Sequence, residues 1–421
     1  MPDPARQRAF ALEIVQKLRA AGFEALWAGG CVRDELLGLV PKDYDVATGA
    51  APEQIRDVFG RRRTLEIGAA FGVITVLGPR DAGQFEVATF RSDAAYSDGR
   101  HPDSVTFTDA QHDAQRRDFT INGLFYDPIA EEVVDYVGGQ QDLEQRTIRA
   151  IGEPRLRLGE DKLRMLRAVR FASTFDFQIE SETLRAIQEM AGEVMTVSAE
   201  RIGAEIRRML LDANRARAVR LLRETSLLEH VLPEVAALSP ADFEDTVRVL
   251  AALCEPTLPL ALAALLSNVY GAQSAESLEV LPAPRAPLSA RSIGRRLRFT
   301  NKETERCAWL RANRSVVAEA PQLPWPRVQR VLTHEGAAEL VALHEAIAGP
   351  DDPALHFCRE RLAWPAERLN PPPLVDGADL IAHGLAPGPQ FSALLEKIRD
   401  AQLDRQITTR DEALALADRL R

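Results

Sequence analysis

The chain has 421 residues, 46% of them apolar and 27% charged, the composition of a soluble globular protein with material for two to four domains. No apolar run approaches the roughly 18 residues a membrane helix needs. The N-terminal MPDPARQRAF lacks the layout of a signal peptide, and four scattered cysteines (Cys31, Cys254, Cys307, Cys358) without a CxxC pair argue against a zinc site or a disulfide framework. The expectation is a cytoplasmic protein with reduced thiols, no membrane and no obligate protein partner. The net charge of −10 runs against nucleic acid as a partner on average, but local clustering of charge is what governs such binding.

In chain order, apolar spacing (Phe10, Ile14, Val15, Leu18) predicts a helix from residue 6 to about 20. Glu24 to Ala28 reads as a strand. After Gly29-Gly30 comes a short helix around Val32 to Leu37. Asp43 to Ala47 alternates like a strand, and Pro52 opens a helix to Phe59. Val73 to Leu77 and Gln84 to Phe90 read as two strands around the turn Gly78-Pro79-Arg80-Asp81, with another at Val133 to Tyr136 before a Gly138-Gly139 turn. From about 155 onward strands disappear and helical spacing runs to the end, divided by Pro233, Pro282 to Pro287, Gly349 to Pro353 and Pro371 to Pro373. The expected fold class is α+β: a head with a mixed sheet over 1–150, then all-helical segments over 151–215, 216–348 and 349–421. One basic segment stands out, residues 285–306, with Arg295, Arg296 and Arg298 at its centre. It reads either as a solvated helix face or as an RNA contact.

The chemistry concentrates in four places. Gly29-Gly30, between a strand and a helix, lets backbone approach a phosphate closely, with Arg33 following; it also reads as an ordinary turn. Asp43 and Asp45, as i and i+2 of a strand, put two carboxylates side by side, an arrangement that repels itself unless a cation sits between them. Oxygen ligands of this kind suit Mg²⁺, two of which serve phosphoryl transfer. A solvent-facing acidic edge strand is the other reading. Glu86, pointing away from Phe85 and Val87, either completes that metal site or is a surface glutamate.

In Arg116-Arg117-Asp118-Phe119-Thr120-Ile121-Asn122 the arginines suit a triphosphate, and Asp118 either caps a helix or takes ribose hydroxyls. Asp161, Arg164 and Arg167, three apart, share a face if they lie on one helix. They form an ordinary salt bridge or read a base. A carboxylate only accepts and a guanidinium only donates. Such a pair matches the amine and unprotonated ring nitrogen of cytosine and adenine and mismatches uracil and guanine.

Together these segments resemble the family of class II tRNA nucleotidyltransferases and bacterial poly(A) polymerases. GGCVRDELLGLVPKDYDVAT is similar to its metal motif, RRDFTIN to its ribose and triphosphate motif, DYVGGQQDL to its hinge, EDKLRMLRAVRFA to its base-recognition motif and SAERIGAEIRRML to the helical motif that follows, in order over about residues 20 to 210. Residues 376–380 and 384–389 resemble the tail of bacterial members. The resemblance implies a polymerase-β-like nucleotidyltransferase head followed by a helical neck, body and tail, with CTP and ATP as substrates and the tRNA 3′ end as partner. It implies that Asp43 and Asp45 bind Mg²⁺, that Gly30, Arg33, Arg117, Asp118 and Asn122 belong to the nucleotide site, and that Asp161 and Arg164, with Arg167, read the base. Residues 96–105, with Asp98 and Arg100, resemble the family's flexible loop, whose presence goes with full CCA addition.

Some members carry a phosphohydrolase domain with His-Asp pairs; here His112-Asp113 is the only such dipeptide and is read as incidental. The poly(A) polymerase branch has Arg-Arg-Phe-Arg-Leu after its first motif, whereas this chain reads Arg61-Arg62-Arg63-Thr64-Leu65. The alternatives are a poly(A) polymerase, a partial CC- or A-adding enzyme, and a non-catalytic RNA-binding protein on the same fold.

Overall fold

A computed structural model describes residues 3–93, 105–269, 290–386, 388 and 390–420. The chain forms two compact units, Met1–Ala237 and Leu238–Arg421.

The first unit opens with α1 (Pro4–Ala20), started by Pro4 and by the Asp3 side chain, which accepts from the Ala5 amide. Its apolar face (Phe10, Ile14, Val15, Leu18) is buried, with Phe10 tilted onto Phe85 at 5.2 Å. Then follow β1 (Ala25–Ala28), α2 (Gly30–Leu36), β2 (Asp45–Thr48), α3 (Pro52–Phe59), β3 (Thr64–Leu65), β4 (Val73–Leu77), β5 (Gln84–Thr89), β6 (Arg91–Asp93), β7 (Val105–Phe107), α4 (Ala110–Gln115), β8 (Phe125–Asp127), β9 (Glu132–Val134) and α5 (Gly139–Glu144). Seven strands make one mixed sheet in the order β3-β4-β5-β2-β1-β8-β9, with β2 and β5 parallel and the other neighbours antiparallel. β1 lies inside the sheet and all four of its residues are buried, which suits its continuous apolar run. On one face Ala110 and Ala114 of α4, four apart, pack with Leu26, Ala28, Ala47, Phe90 and Phe125.

Beyond the sheet come β10 (Thr147–Ile148), α6 (Pro154–Glu160), α7 (Leu163–Thr174), β11 (Gln178–Ile179), α8 (Ser181–Met190), α9 (Ala199–Leu211) and α10 (Arg215–Glu224). The expectation that strands end by 155 is corrected by β11, which pairs in parallel with β10. Two residues are too short a run to leave an alternating pattern. A second correction concerns Asp43. β2 starts at Asp45, so Asp43 precedes the strand and strand alternation does not orient it.

The second unit is helical in its described residues, from Pro240–Ala252 to Arg410–Arg419. Thr300 with Glu303, Asp376 with Asp379, and Thr409 with Glu412 form reciprocal capping boxes. Its last helices close on a core that includes Leu380, Leu394, Ile398 and Ala417. Among the described residues no helix is long and apolar enough to cross a membrane.

Candidate active site

A cleft of about 710 Å³ in the first unit gathers most of the residues singled out from the sequence. Gly29, Gly30, Arg33, Asp43, Asp45, Arg117, Asp118, Asn122, Asp161, Arg164 and Arg167 all line it. Nine cationic side chains face four carboxylates there, so an acidic protein carries a cationic cleft suited to a polyanion.

The carboxylate corner is built by strand pairing. Asp45 stands opposite Ala28 at the end of β2. Between it and Asp43, Tyr44 is buried, with its ring edge-on to Trp27 at 4.9 Å and its hydroxyl 2.7 Å from Glu35. This anchor holds the residue between the two aspartates at the start of β2. β5 runs beside β2 with Val87 against Val46, which puts exposed Glu86 next to Asp45. Solvent reaches Asp45 through the cleft mouth, yet surrounding protein, then the charges of Asp43 and Glu86, push its carboxyl up to about 6 against the pull of Arg117. Clustered carboxylates with too little positive charge among them fit a hard divalent cation. Glu86 itself does not line the cleft, and among the described residues no three acidic, His or Cys side chains converge as a metal cage. Asp43 and Asp45 therefore fit the Mg²⁺ pattern in which one or two carboxylates bind and phosphates and water complete the shell.

The turn after β1 is shaped for an arginine. Gly29 has φ +72°, and a Cβ there would lie 2.6 Å from Nη1 of Arg117. Arg117 donates to Asp113 and, at 3.2 Å, to the Asn122 carbonyl, and lies 5.0 Å over the Phe125 ring. Asp118 caps no helix. Its Oδ1 accepts from the Phe119 amide and the Asn122 side chain, and its Oδ2 meets Arg167 at 2.6–2.7 Å. Burial alone would raise this carboxyl, but Arg167 and Asn122 outweigh it and hold Asp118 down at about 2. Asn122 in turn accepts from Arg33 at 2.6 Å. Phe171 lies beneath the guanidinium groups of Arg33, Arg167 and Arg170 at 5.3, 5.2 and 4.1 Å from its centre.

Asp161, Arg164 and Arg167 do not share one helix, which corrects the spacing argument. α6 ends at Glu160 and Asp161 is extended (φ −145°, ψ 103°). Its side chain accepts from the Leu163 amide, an interaction that competes with continuing the helix and starts α7 afresh. The Asp161 carboxylate is gripped by Arg201 of α9 at 2.7 and 3.2 Å, while Arg164 is buried against Glu160 and the carbonyls of Arg157 and Arg116. All three residues still open into the cleft.

Arg116, read with Arg117 as suited to a triphosphate, lines the cleft too, whereas sequence reasoning gave no role to Lys42, Arg170, Phe171, Arg201 and Arg208, which also line it. Arg201 and Arg208 sit in the quoted SAERIGAEIRRML segment, seven apart on one face of α9, which was the available signal. Arg295 and Arg298 are exposed and Arg296 is half-buried in the second unit. Asp98 and Arg100 lie outside the described residues.

The family model described as the poly A polymerase head domain matches residues 25–149, and one described as a probable RNA and SrmB-binding site of polymerase A matches residues 176–238. A CCA-adding enzyme of Enterococcus faecalis is 43% identical over 221 residues, 52% of this chain and 53% of that protein. One of Pediococcus pentosaceus is 42% identical over 220 residues, 52% and 54% of the two chains. The chain thus spans about half the length of the relatives it matches. The crystal structure of the Bacillus stearothermophilus CCA-adding enzyme in complex with CTP aligns with 100% of this chain and 98% of its own at TM-score 0.78 and 28% identity. The Thermotoga maritima CCA-adding enzyme complexed with tRNA, at 19% identity and TM-score 0.68 over 98% and 95%, shares the fold.

Proposed function

We propose, for a chain whose residues 25–149 match the poly A polymerase head-domain model, a template-independent nucleotidyltransferase that adds CCA to the tRNA 3′ end from CTP and ATP, in the cytoplasm. The observation that carries this reading is one cleft whose lining joins the Asp43 and Asp45 carboxylates, the arginines around Asp118 and the Asp161–Arg164 corner.

The terminal 3′ oxygen of the RNA bonds to the α-phosphorus of the incoming nucleotide as the α–β anhydride breaks and pyrophosphate leaves. Asp43 and Asp45 would hold Mg²⁺, two ions in the full reading. Bound there, magnesium neutralises phosphate charge and activates the terminal hydroxyl. Arg117, with Arg116 beside it, pairs with phosphate oxygens. Asp118, fixed by Arg167 and Asn122 and held ionised far below neutrality, accepts from a ribose hydroxyl. Asp161 takes the exocyclic amine and Arg164 the ring nitrogen of C or A. Since Arg164 is held by Glu160 and backbone carbonyls, it addresses the base from a fixed position, which supports selection by the protein rather than by a template.

We read residues 1–150 as the catalytic head, 151–215 as the base-recognition neck, 216–348 as the body and 349–421 as a tRNA-binding tail. Arg295, Arg296 and Arg298 are RNA contacts in this scheme, and Asp98 and Arg100 serve the change from C to A addition. The test is extension of a tRNA lacking its last three nucleotides, with Mg²⁺ and CTP, ATP or both. Ordered addition of C, C and A with a stop at three supports the reading. A long A ladder means poly(A) polymerase, a stop at CC or addition of A alone means a partial enzyme, and no incorporation means an RNA-binding protein.

A further inference from the structure

Asp113 is 1% exposed and both of its oxygens are occupied. Oδ1 accepts from Nε of Arg116 at 2.8 Å and from the Arg91 amide at 3.3 Å. Oδ2 accepts from Nη2 and Nε of Arg117 at 3.0 and 3.2 Å. The residue does not line the cleft. It sits on α4, whose Ala110 and Ala114 are packed against the sheet, so its carboxylate is fixed relative to β1, which Gly29 follows, and β2, which Asp45 begins. One buried carboxylate between two guanidinium groups leaves the pair with excess positive charge, and the arginines project into the cleft from a common anchor.

We propose that Asp113 is a positioning residue of the nucleotide site: it sets the guanidinium plane of Arg117, aided by Arg116, toward the triphosphate without touching it. This rests on the reading of the cleft as a nucleotide site. Three further contacts define where Arg117 is set: the Asn122 carbonyl, the Phe125 ring face and the open side of Gly29. Asp113 supplies the paired hydrogen bonds that fix the guanidinium plane, and without it one hydrogen bond and a ring face are left to hold it. Asp113 also holds the amide of Arg91, the first residue of β6, so the root of the hairpin β6–β7 is tied to the same carboxylate.

The experiment is a double-mutant cycle on the full chain with Asp113→Asn and Arg117→Ala. It measures equilibrium CTP binding in Mg²⁺, together with KM and kcat for C addition, and checks the fold by circular dichroism. Asp113→Asn is expected to weaken CTP binding and raise its KM about 10-fold, with kcat within about threefold and the KM for tRNA unchanged; an effect of this size corresponds to about 1.4 kcal/mol. The double variant should be no worse than Arg117→Ala alone, the signature of one residue acting through the other. If Asp113→Asn does not fold, Asp113→Glu, which keeps the charge but shifts the carboxylate by one methylene, is read in the same cycle. Additive losses, or a fall in kcat and stability with CTP binding intact, overturn the proposal. Wild-type protein that does not bind CTP overturns both this proposal and the reading of the cleft, whereas wild-type binding matched by the Asp113 variants overturns this proposal alone.

Discussion

Asp161 and Arg201 meet across the break between α6 and α7, the carboxylate accepting from both terminal nitrogens of the guanidinium at 3.2 and 2.7 Å. A forked arginine on a carboxylate fixes its plane as well as its charge. In the proposed function this is the carboxylate that takes the amine of C or A. Arg201→Ala should therefore leave the acceptor held by the Leu163 amide alone, with KM for CTP and ATP raised about 10-fold and incorporation of U and G increased, given that hydrogen bonds to charged groups are worth roughly 1.5–3 kcal/mol. Single-nucleotide incorporation with each of the four triphosphates measures this. Unchanged discrimination would leave Arg201 as a strut between helices and nothing more.

Asp43 and Asp45 carry the second prediction. Either Asp43→Asn or Asp45→Asn should abolish addition while the fold persists. Because the surrounding protein and the charges of Asp43 and Glu86 oppose ionisation of Asp45, removing one charge should raise the melting temperature of the metal-free protein. Mg²⁺ should raise the melting temperature of the wild type and fail to raise that of either variant, by the linkage of binding to stability. Thermal melts with and without Mg²⁺ decide. A variant that still responds to the ion would move the metal site elsewhere.

The pH dependence of stability follows from Asp118 and Arg167. The folded state holds Asp118 at about 2, below the roughly 3.9 of an unfolded aspartate. A depressed value means the folded state favours the ionised form. Its stabilisation is complete above pH 4 and is lost as pH falls from about 4 through about 2. Urea unfolding between pH 5 and pH 2 should show this loss in the wild type and not in Asp118→Asn. At pH 7 that variant leaves Arg167 without its carboxylate and should be destabilised by about 3 kcal/mol, the cost of breaking a buried pair. A variant with wild-type stability at pH 7 would mean that Arg167 finds another partner.

The head was legible because its signals are local. The apolar face of α1, the Pro-started α3 and the pair β4–β5 each carry their own period or breaker, and their predicted spans agree with the observed ones to within a residue or two. β3, β6, β7, β8 and β10 escaped because two or three residues held by tertiary pairing leave no period. The nucleotide-site and paired-aspartate residues were found as segments and line one cleft, while Glu86 and Arg295, Arg296 and Arg298 do not, and two local inferences failed. Asp43 lies outside the strand assumed to orient it, and Asp161 lies off the helix assumed to align it with Arg164. In both cases the aspartate lies just outside the element whose regular spacing the inference assumed. Asp113 was read as incidental because its importance lies in what it holds in space, Arg116 and Arg117, and not in the dipeptide it belongs to.

Gly29 and Gly30 look equivalent in sequence, and the structure separates them. Gly29 has φ +72°, costly for any residue with a Cβ, and that Cβ would press on Arg117 at 2.6 Å. Gly30 has no such φ, and its Cβ would meet Nη2 of Arg33 at 3.7 Å, an ordinary contact. Gly29→Ala should therefore lower the melting temperature, since backbone strain of this kind costs about 1–2 kcal/mol, and should also displace Arg117 and weaken CTP binding. Gly30→Ala should leave the melting temperature unchanged. Its effect on CTP then becomes informative, because nothing in the free protein requires glycine at that position. If Gly30→Ala binds CTP as the wild type does, the second glycine serves only the turn. If it folds normally and loses CTP binding, the missing Cβ is needed by the nucleotide, which would put a phosphate against the backbone at residue 30.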